Sequence, residues 1–156
     1  MIHVVLKQAE SGDEAFLYHL YASTRKEEIE RWGWPQQAQE AFLAMQFQAQ
    51  QKSYKLQYGD ADQQIIMQDD NRVGRVITAH TGKTIILADI SILPPYRNQG
   101  IGSTILHMLQ DEARLCQIPI YLHVRMDNPA QFLYQRRGFL PVEKSELDMK
   151  MCLHPS

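Results

Sequence analysis

Ile90-Ser91-Ile92-Leu93-Pro94-Pro95-Tyr96-Arg97-Asn98-Gln99-Gly100-Ile101-Gly102-Ser103 is the stretch whose reading decides the fold. It begins as a β-branched strand, breaks at Pro94-Pro95, and passes through a glycine-bearing loop into a helix with Ile105, Met108, Leu109, Leu115 and Cys116 at helical spacing. A strand, a loop with glycines and a helix start gather unpaired backbone N–H groups and the positive end of a helix dipole at one point. That suits an anionic phosphate. The glycines let backbone approach a ligand with no Cβ in the way, and Arg97 adds a fixed positive charge. A dinucleotide fingerprint needs a third glycine at position 105, where Ile105 stands, and a P-loop needs a lysine after Gly102, where Ser103 stands.

Outward from this stretch the period of the chain changes. Upstream, 64–67, 73–78 and Thr84–Leu93 are β-rich runs divided by turn residues at 69–72 and 81–83, a meander of three antiparallel strands. Downstream, Ile118–Val124 is a compact apolar strand. The strand–helix–strand run over 84–124 therefore implies a parallel crossover. Ala130–Arg137 reads as a short helix closed by Gly138, and Leu147, Met149, Met151 and Leu153 alternate with polar residues as a final half-buried strand. At the other end, residues 2–6 open as a strand. A helix follows the capping run Ser11-Gly12-Asp13-Glu14 to about Thr24, and a second, Gln-rich helix runs from Pro35 to Gln50, with 27–34 as loop or a short helical turn. The fold class is mixed α+β, a mainly antiparallel sheet with flanking helices.

Composition sets wide limits. At 156 residues the chain makes one domain, 1–156, large enough to bury roughly 68–70% of its unfolded surface without a metal or disulfide staple. Sixteen basic against 18 acidic residues argue against non-specific nucleic-acid binding and a polybasic membrane surface. The N-terminus lacks the long apolar core of a signal peptide, and no run approaches the ~20 apolar residues of a membrane span, so the expected location is the cytoplasm. Cys116 and Cys152 are expected to be small buried hydrophobes.

A second stretch, Asn128-Pro129-Ala130 followed by Leu133-Tyr134 and Gly138-Phe139, sits some 26 residues past Gly102. Together, Arg97-x-x-Gly100-x-Gly102 after a strand ending Ile90-Ser91-Ile92, and this Asn128–Phe139 run, resemble the two halves of the signature of the GNAT superfamily of N-acetyltransferases. The resemblance is clear over residues 62–153 and holds only in outline before them. It implies a strongly bent six- to seven-stranded sheet in which the strands of Ile90–Leu93 and Ile120–Val124 splay into a V. It also implies acetyl-CoA as co-substrate, with no metal. Backbone at Ile90 and Ile92 would bond the pantetheine arm, and an N–H near Ile92 or Leu93 would polarise the thioester carbonyl. Amides of Asn98, Gln99, Gly100, Ile101, Gly102 and Ser103, with Arg97, would hold the pyrophosphate. Asn128 would reach the cofactor arm, and Tyr134 would lie near its sulfur.

The implied reaction is direct attack of a primary amine in a ternary complex. Alkyl amines have pKa values near 10, so a base must take the proton, and Tyr134 has a proton to give to a departing thiolate. Asp89 is the only acid of its strand, and an acid in an apolar strand is costly unless paired or functional. His80 and His123 are the other candidate bases. Tyr21, Arg25, Glu28, Trp34, Gln46 and Tyr54 are candidates for the acceptor pocket. Residues 1–93 carry 9 basic and 12 acidic groups (net −3) and 94–156 carry 7 and 6 (net +1), which fits a cationic acceptor beside an anionic cofactor. The bulky region of Trp32, Trp34 and Phe47 favours a small-molecule amine over a protein N-terminus or lysine. A cofactor-binding module without turnover is the third reading. The final strand is a candidate dimer interface.

Overall fold

The computed structural model describes residues 3–59 and 61–155. Its elements are β1 (Val4–Gln8), α1 (Glu14–Glu30), α2 (Gln36–Tyr58), β2 (Asp62–Gln68), β3 (Asn71–His80), β4 (Ile85–Ile92), α3 (Ile101–Cys116), β5 (Ile120–Arg125), α4 (Ala130–Arg136), β6 (Leu140–Lys144) and β7 (Asp148–Leu153). The strands form one sheet in the order β1-β2-β3-β4-β5-β7-β6. Every neighbouring pair is antiparallel except β4–β5, which α3 joins as the expected parallel crossover.

Three boundaries depart from the sequence reading. The first helix runs past Thr24 to Glu30 and takes in half of the stretch read as loop, because Ile29 is buried and extends the apolar stripe of Leu17, Leu20 and Tyr21. The second helix continues past Gln50 to Tyr58, which places Tyr54 on a helix. Strand β6 had no expected counterpart: all five of its residues are exposed, so it carries no half-buried alternation to betray it. The opening strand, expected at 2–6, is found at Val4–Gln8, with residue 2 outside the described part of the chain. Of the two cysteines only Cys152 is buried. The buried stripe of α3 ends at Ala113, leaving Leu115 and Cys116 exposed.

Two apolar layers clamp the sheet. On one face α3, with Ile101, Ile105, Leu106, Leu109 and Ala113, packs on Ile66, Val76, Ile85, Leu87, Ile120, Leu122 and Val124, and Tyr134 and Phe139 belong to the same core. On the other face α1 and α2 meet β2 through Leu17, Tyr21, Phe47 and Ile65. Strand β4 changes sides between them. Thr78 lies opposite Leu87 and Ile77 opposite Asp89, so Ala88 is an extra residue, a β-bulge. Before the bulge the odd-numbered Ile85 and Leu87 face α3. After it the odd-numbered Asp89 and Ser91 lie opposite Ile77 and Arg75 on the α1/α2 side, while Ile90 and Ile92 take the α3 side.

Close approach makes one glycine indispensable. A Cβ on Gly74 would run into the Ser91 carbonyl oxygen and lie 3.2 Å from the Ile92 Cα, both backbone atoms that cannot swing away. Gly74→Ala is expected to lower unfolding free energy by about 1–3 kcal/mol, read by urea titration. A second anchor is the buried carboxylate of Asp13. It accepts the Glu10 N–H (3.0 Å) and pairs with Arg72 (2.8 Å) and Lys7 (3.3 Å), tying the start of α1 to β1 and β3. The Glu10 N–H, then Arg72 and Lys7, hold its pKa below the ordinary value against the opposing effect of desolvation. A lowered folded pKa means the contribution is complete above the unfolded value of about 4 and is lost as pH falls through the folded one. Asp13→Asn should therefore cost about 1–2 kcal/mol at neutral pH, and the gap to wild type should close in acid, as followed by denaturation at a series of pH values.

Candidate active site

The ladder between β4 and β5 stops early. Ile85, Ile86 and Leu87 pair with Ile120, Tyr121 and Leu122, after which β4 continues unpaired on that side to Ile92 and β5 to Arg125. The two strands diverge into the expected V at the centre of the sheet. Backbone alternation says which groups point into it. The Leu93 N–H donates to the Val73 carbonyl of β3 at 2.8 Å, so the N–H and C=O groups of Ile92 and Ile90 face the opposite way, towards the gap. Of the two positions considered for polarising a carbonyl, Leu93 is thus already committed to the sheet, and Ile92 is the one left.

At the open end of the V the chain enters α3. Asn98 (φ 61°) and Gly100 (φ 87°) both adopt left-handed backbone, which turns the loop sharply enough to aim successive amides at one side. The Thr104 N–H donates to the Gly100 carbonyl, so the N–H groups of Ile101, Gly102 and Ser103 precede the first intrahelical donor. Arg97 lies back along the loop, its Nε donating to the Ile92 carbonyl at 2.8 Å, and Gln99 donates to the Pro95 carbonyl at 2.9 Å. Gly102 lies against α4: a Cβ there would sit 3.3 Å from Leu133 Cδ2. The Arg137 guanidinium crosses from the end of α4 to the Ser103 carbonyl at 3.0 Å, which locks the two helices together beside the loop.

Helix α4 supplies the phenol. Asn128 Oδ1 accepts the Ala130 N–H at 2.9 Å, starting the helix and leaving the side-chain amide N–H groups free to donate. The far end closes as a Schellman motif, with Gly138 (φ 98°) donating to the Gln135 carbonyl and Phe139 to that of Tyr134. Phe139 packs edge-on against the Tyr134 ring, with centroids 5.8 Å apart. Tyr134 is only 6% exposed, and its hydroxyl makes no hydrogen bond among the described residues. No deeply buried side-chain oxygen or nitrogen among them lacks a partner, so the hydroxyl itself reaches open space. Burial, reinforced by the negative charge of Asp89, pushes its pKa up to about 12. At neutral pH it is a proton donor.

Asp89 has the partner that sequence reading left open. Arg75 Nε donates to its Oδ2 at 2.8 Å, and Ser91 Oγ donates to the same oxygen at 3.0 Å. Oδ1 has no hydrogen bond among the described residues. Tyr54 lies close by, with the Arg75 guanidinium 5.8 Å from its ring centroid. Its pKa is raised first by burial and then by the Asp89 charge, with Arg75 opposing. Arg75 went unnoticed in sequence. Its signal was the same as that of Asp89, a charged residue inside the apolar run 73–78, and the two costs offset each other.

The histidines separate from this site. His80 ends β3 at the edge where β4 begins, and its Nε2 lies 2.8 Å from Glu112 of α3. His123 is exposed on β5 opposite Lys150. Of the acceptor candidates, Arg25 bridges the Tyr21 hydroxyl (3.1 Å) and Glu28 (2.9 Å) along α1, and Trp34 stacks with Trp32 and Phe42 at the α1–α2 turn. Gln46 is half-buried on α2 and Tyr54 alone joins Arg75 and Asp89. A concavity of about 590 Å³ lies between α1 and α2, lined by Tyr18, Phe47, Glu14 and Glu40 among others. Among the described residues no helix is long and apolar enough to cross a membrane.

This combination of a sheet split between parallel strands and a left-handed loop entering the crossover helix is that of an acyltransferase fold, and the chain belongs to the acetyltransferase (GNAT) family, whose model matches residues 17–139. Among similar solved structures is the PaiA N-acetyltransferase of Thermoplasma acidophilum in complex with coenzyme A, with TM-score 0.72 and 15% identity over 98% of this chain and 99% of that one. The ribosomal-protein-S18-alanine N-acetyltransferase of Escherichia coli (TM-score 0.65, 20% identity, 99% and 95% covered) shares the fold. So does the spermidine N-acetyltransferase of Vibrio cholerae in complex with coenzyme A and spermine (TM-score 0.65, 20% identity, 97% and 95% covered). No curated protein sequence matches this one.

Because the Asp89 charge helps to raise the Tyr134 pKa, Asp89→Asn is expected to lower it towards the value set by burial alone. Carbon-labelled tyrosine NMR across an alkaline titration reads that directly, with Tyr134→Phe assigning the resonance.

Proposed function

We propose that this chain is a single-domain cytoplasmic acetyl-CoA-dependent N-acetyltransferase acting on the primary amine of a small molecule by direct attack in a ternary complex. The observation that carries the reading is the placement of a protonated phenol, Tyr134, and a carboxylate, Asp89, beside the unpaired Ala88–Ile92 edge. When bound, acetyl-CoA supplies an acyl thioester open to attack by an amine. The residues present fit it: the backbone groups of Ile90 and the Ile92 N–H on the side away from β3 suit the pantetheine amides, and the left-handed turn at Asn98 and Gly100 leaves amides through Ser103 free for a pyrophosphate. Arg97 adds positive charge at that loop, and Asn128 keeps its amide N–H groups for the cofactor arm.

Three tasks fall to the protein. The Ile92 N–H, held in place by the sheet, donates to the oxygen on which negative charge develops, an interaction strengthened by exclusion of water. Asp89 Oδ1 receives the ammonium of the acceptor and takes its proton. Tyr134 Oη holds a proton for the departing sulfur, and its raised pKa keeps it there through the physiological range. Acceptor discrimination falls to the α1–α2 side, where Tyr21, Arg25, Glu28 and Tyr54 are polar and the Trp32–Trp34–Phe42 cluster is bulky. Phe47, expected beside the tryptophans, is instead buried against Leu17, Tyr21 and Ile65, and Phe42 takes its place; the bulk of that cluster supports a small amine over an extended peptide. The final strand, the expected dimer interface, is β7 and lies inside the sheet between β5 and β6, so its edges are spent; β6, exposed along its whole length at the sheet edge, is the strand that supports a homodimer contact.

Thiol release from acetyl-CoA in the presence of a panel of amino acids, polyamines and aminoglycosides tests the activity. Tyr134→Phe should lower kcat about 10²-fold while leaving coenzyme A affinity within a few-fold. A mass shift on peptides but on no free amine would reassign the acceptor to protein. Cofactor binding without release for any acceptor would make the chain a non-catalytic binding module.

A further inference from the structure

Arg75 is the largest fully buried side chain among the described residues, 2% exposed, and the reaction scheme above gives it no task. Burying a guanidinium costs several kcal/mol before its partners are counted, and an apolar group of similar volume would often serve stability as well. The environment built around it is extensive. Nε donates to Asp89 Oδ2 (2.8 Å), Nη2 to Gln50 Oε1 of α2 (2.8 Å), and Nη1 reaches Gln63 Oε1 of β2 (3.5 Å). The guanidinium plane thus links α2, β2, β3 and β4 with one rigid group, a task to which lysine, a flexible point charge, is poorly suited.

The pattern of donors on Asp89 is one-sided. Arg75 and Ser91 both load Oδ2. Oδ1 takes no donor among the described residues and, since no deeply buried polar atom there lacks a partner, it is accessible. The bulge at Ala88 is what turns this side chain onto the Arg75 side, and the carboxylate's charge is felt by Tyr54 of α2 and Tyr134 of α4 alike. A carboxylate tethered at one oxygen and open at the other has its reactive lone pairs aimed.

We infer that Arg75 is a positioning residue: held by Gln50 and Gln63, it fixes Oδ1 of Asp89 for the acceptor amine, so that α2, the acceptor-side helix, sets where the base stands. This rests on the reading of Asp89 as the group that takes the amine's proton. The charged and titratable groups facing Asp89 are Arg75 from β3, Tyr54 from α2 and Tyr134 from α4, together with Tyr21 of α1, whose charge acts on Tyr54 and whose hydroxyl accepts from Arg25. Arg75 is the cation in direct contact, so its removal frees the carboxylate to turn, a loss of alignment that costs kcat and leaves coenzyme A affinity in place.

The test is kcat and KM for wild type, Arg75→Met, Arg75→Lys, Gln50→Leu and Asp89→Asn, with coenzyme A affinity and the urea midpoint measured on each. Arg75→Met is expected to lower kcat by at least about tenfold while leaving coenzyme A affinity within a few-fold. Arg75→Lys should recover only part of that loss, since the charge returns without the fork. Gln50→Leu, which touches neither Asp89 nor the cofactor loop, should lose kcat in the same sense by a smaller factor and answers the question if Arg75→Met does not fold. Lower urea midpoints with unchanged kcat in Arg75→Lys and Gln50→Leu would show Arg75 to be structural only and overturn the inference. An Asp89→Asn enzyme that keeps full activity would overturn the base reading itself. Inactive Asp89→Asn beside unaffected Arg75 and Gln50 variants would overturn only the positioning role.

Discussion

Unpaired backbone in the middle of a sheet is expensive, because each N–H and C=O deprived of water and of a partner forfeits a hydrogen bond. Strand β4 loses its partner on one side from Ala88 to Ile92, where β5 turns away after Leu87 and Leu122; the stretch is half-buried, and among the described residues only the Ile92 carbonyl there is taken up, by Arg97. The rest of the molecule is arranged to hold that split open. Helix α3 fastens the two strands from one face through Ile105, Leu106 and Leu109, and α1 and α2 cover the other face of β2 and β3. Beyond β5, β7 continues the sheet, so β5 is held from its far side while its near side stays free. What remains is a set of aligned donors and acceptors fixed by the sheet and not by the flexibility of a loop.

Around that opening the polar groups are held by shape as well as by charge. The bulge at Ala88 turns Asp89 and Ser91 onto the Arg75 side, and Gly74 lets β3 pass close enough to β4 for the register to hold. Arg75 and Asp89 are each costly alone in an apolar setting and tolerable together. Tyr134 is set by a helix of seven residues whose ends are both defined, by Asn128 at the start and by the Gly138–Phe139 closure at the finish. A phenol so enclosed resists ionisation, and a phenol that stays protonated can serve as an acid.

Much of this was legible from residue pattern. The loop 96–102, the crossover helix, the short helix closed by Gly138 and the meander of β2, β3 and β4 each carry a local signal: a glycine with left-handed backbone, a proline break, a helical or alternating period. Asp89 and Tyr134 could be picked out because a polar group in an apolar run calls for a reason. The misses share a cause. Strand β6 is exposed on every residue, the last turns of α1 and α2 are held by packing at Ile29 and by the polar partners of Gln50 and Tyr54, and Arg75 found its meaning only in a residue fourteen positions away.

By itself the sequence determined the order and type of the elements around the V, the family, and the two segments that frame the site, because turn chemistry, capping and periodicity act between near neighbours along the chain. Tertiary structure alone decided that Leu93 is spent on β3 while Ile92 faces the gap, that Asp89 is tethered at one oxygen by Arg75 and Ser91, and that His80 lies at the far end of its strand beside Glu112. Those outcomes depend on strand register and on a single inserted residue at Ala88. A shift of one residue reverses which side chains share a face, and no local signal in the chain records it.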